Sequence, residues 1–432
     1  MNILVKAIVM FCFIEALGTD IRLASQIEVP QSLDSPLLQK LRTDLQSHNE
    51  KALDKFWRKI SLEGAPLVEP IKGDDQNLLV TFLWRSNATK KYIVVFPLAW
   101  RYPLRNLMAR LPETDVWYKS YRFRKDARFV YLISANDTLT PFAIENSDTD
   151  WLSTLIPDPL NRNRFIQPRD PEIGGSSEEI SSVLELPDAP RQPYVTVRPG
   201  VVQGKVHLIR YQDKSLGHPR RLWVYTPPDY RRTAPPYSLL VLFDGWVYTQ
   251  LIPTPTILDN LIAESAIPPL VAVFIDQGDR LSELALNPGF ADFVADEIVG
   301  WTHRNYNATN NSARTIIGGL SLGGLSAAYT ASRHPNVFGN VLSQSGAFQY
   351  SAVEEKDFIR QFALREKLPI RFYLEAGTME VNESPSLLHS NWRFRDVLLA
   401  KGYTVYYSEF NGRHDYISWR GSLSQGLLKL TQ

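Results

Sequence analysis

The spacing of apolar positions changes character twice along the chain. Between residues 26 and 50 the sequence is polar with a weak helical repeat, which predicts a surface helix over Pro36–Asn49. From Phe56 onward, short runs rich in β-branched and aromatic residues take over: Asn77–Trp84, Lys91–Phe96, Val116–Phe123 and Arg128–Ile133. Gly, Asp, Asn and Pro clusters separate them. Several short strands at that spacing predict an all-β sandwich, placed at 26–165 with its leading helix.

A segment of low hydrophobicity follows, roughly Pro157–Ser181, containing Asp170-Pro171-Glu172-Ile173-Gly174-Gly175. Its turn chemistry predicts a linker, set at 166–193. Beyond Tyr194 continuous apolar runs, Ser238–Phe243 and Leu270–Ile275, alternate with helical stretches such as Phe290–Thr302 and Trp392–Lys401. Strands buried on both faces and separated by helices predict a largely parallel sheet with helices on both sides, over 194–432. A chain of 432 residues exceeds the usual size of one hydrophobic core, in keeping with two domains.

Charge changes this picture little. Lys and Arg number 47 against 46 Asp and Glu, so no basic surplus points to nucleic acid and no acidic tail to a disordered segment. Ten Trp and nineteen Tyr supply buried area first and a surface for a planar ligand second. The single cysteine, Cys12, excludes an internal disulfide and a Cys-based zinc site. Residues 1–18 have the three parts of a secretory signal: Met1–Lys6 with one lysine, the apolar run Ala7–Ile14, and Ala16-Leu17-Gly18 as a small-x-small site. That run is too short to span a bilayer, so no stable membrane insertion is expected after cleavage. Export to the periplasm is the expectation; a buried N-terminal helix or strand is the other reading.

The sharpest chemical signal is Thr315-Ile316-Ile317-Gly318-Gly319-Leu320-Ser321-Leu322-Gly323-Gly324. An apolar strand runs into Gly-x-Ser-x-Gly, and a helix of small residues runs out. A nucleophilic serine needs this shape, because its oxygen must stand above the sheet on a tight turn whose flanks leave no room for side chains. The motif, in that context, predicts an α/β-hydrolase fold with Ser321 as nucleophile; a glycine-rich turn is the plainer alternative.

A serine hydroxyl also needs a base. Of the seven histidines, His414 lies on a loop after a late strand, Tyr403–Phe410, where this fold carries its base. The acid should follow the preceding strand, Ile370–Gly377, and its loop offers Glu380 and Glu383. Glu380 is preferred; Glu375 is still on the strand, Asp415 adjoins the base, and a Ser–His pair without an acid is also open. Two amides are expected to form the oxyanion hole, those of Leu322 and of Trp246 in Phe243-Asp244-Gly245-Trp246, where Gly245 would let the backbone approach substrate.

With those residues in view, the chain resembles the enterochelin esterases, which hydrolyse the ester backbone of ferric catecholate siderophores of the enterobactin type. The resemblance runs from about Phe56 to the C-terminus. It is carried by Gly64–Pro70, Val80–Arg85, Leu111–Tyr118, Asp158–Asn161, Leu184–Pro190, Pro255–Glu264, Phe338–Gly346, Leu374–Gly377 and Trp419–Gly421. It implies Ser321, His414 and a carboxylate at Glu380 as the catalytic set, and an Arg and Glu after the mid-chain strand, here Arg280 and Glu283. Arg280 near the cleft would suit an anionic ferric complex, or form a surface ion pair. The resemblance also implies a β-rich domain that helps close the site, and no cofactor, the iron belonging to the substrate. Two departures stand out. Family members usually have Gly-Gly before the histidine, where this chain has Gly412-Arg413, and Arg413 would add charge near substrate or face solvent. Members with this layout are typically cytoplasmic, the alternative compartment here. A general carboxylesterase, an acyltransferase and a non-catalytic siderophore-binding protein are the competing functions.

Overall fold

The computed structural model describes residues 34–88, 93–95, 106–137, 154–213, 217, 219–351, 357–381 and 386–432. The expected signal segment, 1–18, lies outside them, as does Glu383. The chain divides into two compact units, Met1–Ala189 and Pro190–Gln432.

Among the described residues, the first unit begins with two helices where one was expected. Helix Pro36–Gln46 starts on Ser35, whose Oγ accepts the Leu38 amide at 3.2 Å, with proline in the first turn. A second helix, Ala52–Glu63, buries Phe56, Trp57 and Ile60 along one face and stops at Gly64, φ 87°. Its aromatic residues read locally as strand formers, but their helical spacing aims them at one core containing Leu38, Leu41, Leu67, Leu83 and Val116. The described strands all pair antiparallel. β1 (Leu67–Ile71), β2 (Asp74–Arg85), β4 (Ala109–Arg110) and β5 (Val116–Arg124) form a sheet in the order β1-β2-β5-β4. β3 (Ile93–Val95), β7 (Ile133–Ala135) and β8 (Leu155–Ile156) form a second.

The third sheet corrects the domain boundary. β6 (Arg128–Tyr131) pairs with β10 (Glu179–Glu185), which pairs with β9 (Arg164–Gln167). Residues 166–167 and 179–185 of the expected linker 166–193 are therefore sheet, and the division falls at Ala189/Pro190. Polar residues hide these strands: Ser181 and Ser182 are buried beside Val183 and Leu184, on both faces of β10.

In the second unit eight strands form one sheet: β11 (Lys205–Gln212), β12 (Pro219–Thr226), β13 (Ser238–Phe243), β14 (Leu270–Ile275), β15 (Thr315–Leu320), β16 (Asn340–Gln344), β17 (Arg371–Gly377) and β18 (Thr404–Phe410). Their order is β11-β12-β14-β13-β15-β16-β17-β18, antiparallel at β11–β12–β14 and parallel from β14 to β18. Every residue of β13, β14 and β15 is buried, as a sheet covered on both faces requires. Helix Leu322–Arg333 packs on β15 and β16, while Tyr416–Leu430 packs on β16 and β17 and touches Thr254–Ala263. The connection from β13 to β14, through Thr254–Ala263, and that from β15 to β16, through Leu322–Arg333, run in opposite directions across the sheet, so right-handed crossovers put the two helices on opposite faces. From β15 onward each crossover advances by one strand, so the loops after β15, β17 and β18 open at the same edge.

Candidate active site

Ser321 stands where β15 ends and helix Leu322–Arg333 begins, with φ 57° and ψ −122°. A non-glycine residue holds such angles only when its surroundings enforce them. Two hydrogen bonds do so: the Ser321 amide donates to the Gln344 carbonyl at 2.9 Å, and the Ala347 amide donates to the Ser321 carbonyl at 2.9 Å. Gly319 is a steric necessity. A Cβ on Gly319 would lie 2.6 Å from the backbone of Gly323. Ser321 is buried, and its Oγ makes no hydrogen bond among the described residues. Catalytic hydrogen bonds commonly tighten only when substrate is bound.

The loops after β17 and β18 bring Glu380 and His414 together. Nδ1 of His414 lies 2.9 Å from Glu380 Oε1, and Glu380 Oε2 accepts the Gly377 amide at 3.0 Å. The Glu380 carbonyl accepts from Leu388 N and Ser386 Oγ, which pins the loop to the next helix. A carboxylate at Nδ1 keeps the proton there and leaves Nε2 with its lone pair, the form a general base needs. The ring of His414 meets that of Trp419 edge to face, centroids 4.6 Å apart. Glu375, the strand alternative, points into the core and accepts hydrogen bonds from Gln344, Tyr373 and Ser422. Burial pushes its carboxyl up to about 7.

The oxyanion side differs from expectation. Leu322 opens its helix, where first-turn amides have no partner within the helix. The amide of Trp246, by contrast, donates to Asp276 Oδ1 at 2.9 Å. Asp276 follows β14 and also receives Arg221 Nε at 2.7 Å; burial lifts its carboxyl to about 6 against the pull of Arg221. The Trp246 amide is thus engaged by the protein itself, through a neighbouring strand that local sequence does not reveal. Gly245 answers to packing as well, since a Cβ there would lie 2.8 Å from the Trp223 ring.

Arg280 reaches the site through Asp244. Its Nε and Nη2 fork onto the Asp244 carboxylate, with Nη2 2.7 Å from Oδ2, and Nη2 lies 3.5 Å from the Leu320 carbonyl. Asp244 is itself at φ 56°, and a Cβ on Gly323 would lie 3.2 Å from its Oδ2. The Asp244–Arg280 pair therefore braces the turn beside the elbow. Glu283 pairs with Arg220, both contacts at 3.1 Å, and accepts the Gly278 amide. Arg413 is half-buried directly before the base, its carbonyl accepting the Asp415 amide at 2.8 Å. Sequence reasoning missed the structural use of Asp244 and Asp276, and assigned no role to Gln344, Ser345 and Trp419, although their motifs were visible.

A serine elbow after a central parallel strand, with a His–carboxylate pair on later loops of the same sheet edge, defines the α/β-hydrolase class. The family described as "Putative esterase" matches residues 213–430, and that described as "Enterochelin esterase, N-terminal" matches 79–195. The chain belongs to the enterochelin esterase family and is a carboxylic ester hydrolase. It is 29% identical over 388 residues to the iron(III) enterobactin esterase of Escherichia coli K12, covering 83% of this chain and 92% of that protein. The crystal structure of ferric enterobactin esterase from Salmonella typhimurium matches with a TM-score of 0.70 and 28% identity, over 87% of this chain and 98% of that one. The enterobactin esterase of Shigella flexneri, crystallised in the presence of enterobactin, matches with a TM-score of 0.67 and 27% identity, over 87% and 97% of the two chains.

Proposed function

We propose that this chain hydrolyses the ester bonds of a ferric catecholate siderophore of the enterobactin type, by acyl transfer to Ser321. The observation that carries the reading is the Glu380–His414 pair, 2.9 Å apart, on the edge where Ser321 stands, in a chain matched across both units by ferric enterobactin esterases. Attack of Ser321 Oγ on the ester carbonyl forms a C–O bond while its proton passes to Nε2 of His414. The same proton then goes to the departing seryl alkoxide as the ester C–O bond breaks. Water, deprotonated by His414, repeats the sequence and frees the acid. The Leu322 amide is suited to the developing oxyanion. Each cleaved ester removes part of the macrocycle that preorganises the catecholates, so the ligand's hold on iron weakens.

Periplasmic action is part of the proposal and is supported by the signal-like pattern of residues 1–18. Chromatography of ferric enterobactin digests tests the activity. Wild type should yield linear and monomeric catecholate-serine products, and Ser321→Ala none; equal digestion by the two proteins would overturn the assignment.

A further inference from the structure

Three segments that the catalytic scheme leaves unused meet behind the catalytic loops: Ser343-Gln344-Ser345-Gly346, Leu374-Glu375-Ala376-Gly377 and Trp419-Arg420-Gly421. Gln344 is their crossing point. Its Nε2 lies 2.8 Å from Glu375 Oε1, 2.9 Å from the Trp419 carbonyl and 3.1 Å from Ser422 Oγ, and its Oε1 accepts from Tyr248 Oη at 2.8 Å. Its backbone carbonyl receives the amide of Ser321. One residue therefore fastens the nucleophile's peptide and the helix that bears Trp419.

Ser345, at φ 48°, extends the link. Its amide donates to the Glu375 carbonyl at 2.8 Å, and its Oγ accepts Trp419 Nε1 at 3.0 Å. Trp419 in turn presents its ring to His414 at 4.6 Å with an interplanar angle of 87°. Gln344, Ser345 and Glu375 are 0% exposed and Trp419 is 2% exposed, so water does not compete for these bonds. The imidazole is thereby held from two sides. Glu380 grips Nδ1 from the loop after β17, and Trp419 walls the ring from helix Tyr416–Leu430. A single hydrogen bond would let the ring swing about its axis; the indole closes that freedom only while its own rotamer is fixed.

We propose that Trp419 is a positioning residue for His414, and that the indole bond to Ser345, backed by Gln344 and Glu375, keeps the base in register with the serine elbow. The inference rests on the roles given to Ser321 and His414 above. In acyl transfer Nε2 must take a proton from Oγ and return it to a different oxygen, so its pose matters in both half-reactions.

The test compares wild type, Trp419→Phe, Ser345→Gly and the double variant. Phenylalanine keeps an aromatic ring but deletes the donor; glycine deletes the acceptor and suits the positive φ. Each single variant should lower kcat about 10- to 100-fold with KM changed less than about threefold, and slow fluorophosphonate labelling of Ser321 in parallel. The downfield Nδ1 proton resonance of His414 should shift in both. Because both changes remove one bond, the double variant should lose no more than the worse single. Labelling rates within about twofold of wild type, even with a lowered Tm, overturn the proposal, as do losses that multiply in the double variant. Failure of wild type to label at all would instead remove the serine-esterase assignment on which it rests.

Discussion

Oε1 of Glu380 and Nδ1 of His414 are separated by 34 positions in sequence and by 2.9 Å in space. The contact exists because β17 and β18 are parallel neighbours, paired in register from Arg371↔Thr404 to Gly377↔Phe410, so their following loops leave the sheet side by side. Thr378 N donates to the Phe410 carbonyl, and Met379 N to that of Gly412, which stitches the two loops together before either reactive side chain is reached.

Glu380→Gln replaces the anion with a group that no longer fixes the Nδ1–H tautomer. Steady-state kinetics should show kcat reduced by roughly 10⁴-fold, with KM nearly unchanged. A loss smaller than about tenfold would favour a Ser–His pair working without its acid.

Gly319→Ala puts a methyl group 2.6 Å from the Gly323 backbone, where neither strand nor helix can yield. Overpacking of this kind costs about 1–3 kcal/mol and should also tilt the elbow. Thermal unfolding and fluorophosphonate labelling should both fall; an unaltered labelling rate would mean that the turn tolerates the methyl.

Arg280→Ala separates a brace from a substrate contact. With side chains 21% and 5% exposed, Arg280 and Asp244 form a largely buried pair, and removing one member costs about 3 kcal/mol or more in stability. The variant should lose activity on a small neutral p-nitrophenyl ester as well as on an anionic ferric siderophore. Loss confined to the siderophore would return Arg280 to the role of ligand cation.

Burial raises the Glu375 carboxyl from its ordinary 4.5 to about 7. Between those values the folded protein binds more protons than the unfolded chain, so stability falls as pH rises through this window. It is fully present below about 4.5 and lost above about 7. The span corresponds to a contribution on the order of 3 kcal/mol. Glu375→Gln should flatten that slope in denaturant titrations at pH 5 and pH 8. A slope equal to wild type would place the titrating group elsewhere.

Legibility in the sequence followed distance along the chain. Ser321 was readable because strand, turn and helix are contiguous, and the clash that demands Gly319 is only four positions away. The acid was readable to within one loop, since the strand before it ends at a visible glycine, Gly377. The bond of the Trp246 amide is not legible locally, because Asp276, 30 positions on, reaches it only after β13 and β14 pair. The linker expected from the sequence overruns the sheet for a different reason. The turn residues around Asp170–Gly175 mask the strand beyond them, whose apolar side chains Val183 and Leu184 are few.

The one-strand advance from β15 to β18 has a consequence for how such an enzyme diversifies. Nucleophile, acid and base hang from the ends of β15, β17 and β18, within four consecutive parallel strands, anchored by backbone bonds that do not depend on loop length. The hydrogen bonds of Ser386 Oγ and Leu388 N to the Glu380 carbonyl hold the acid from beyond its own loop. The reacting side chains are thus tied to the main chain of the sheet, and change elsewhere along this edge need not move them.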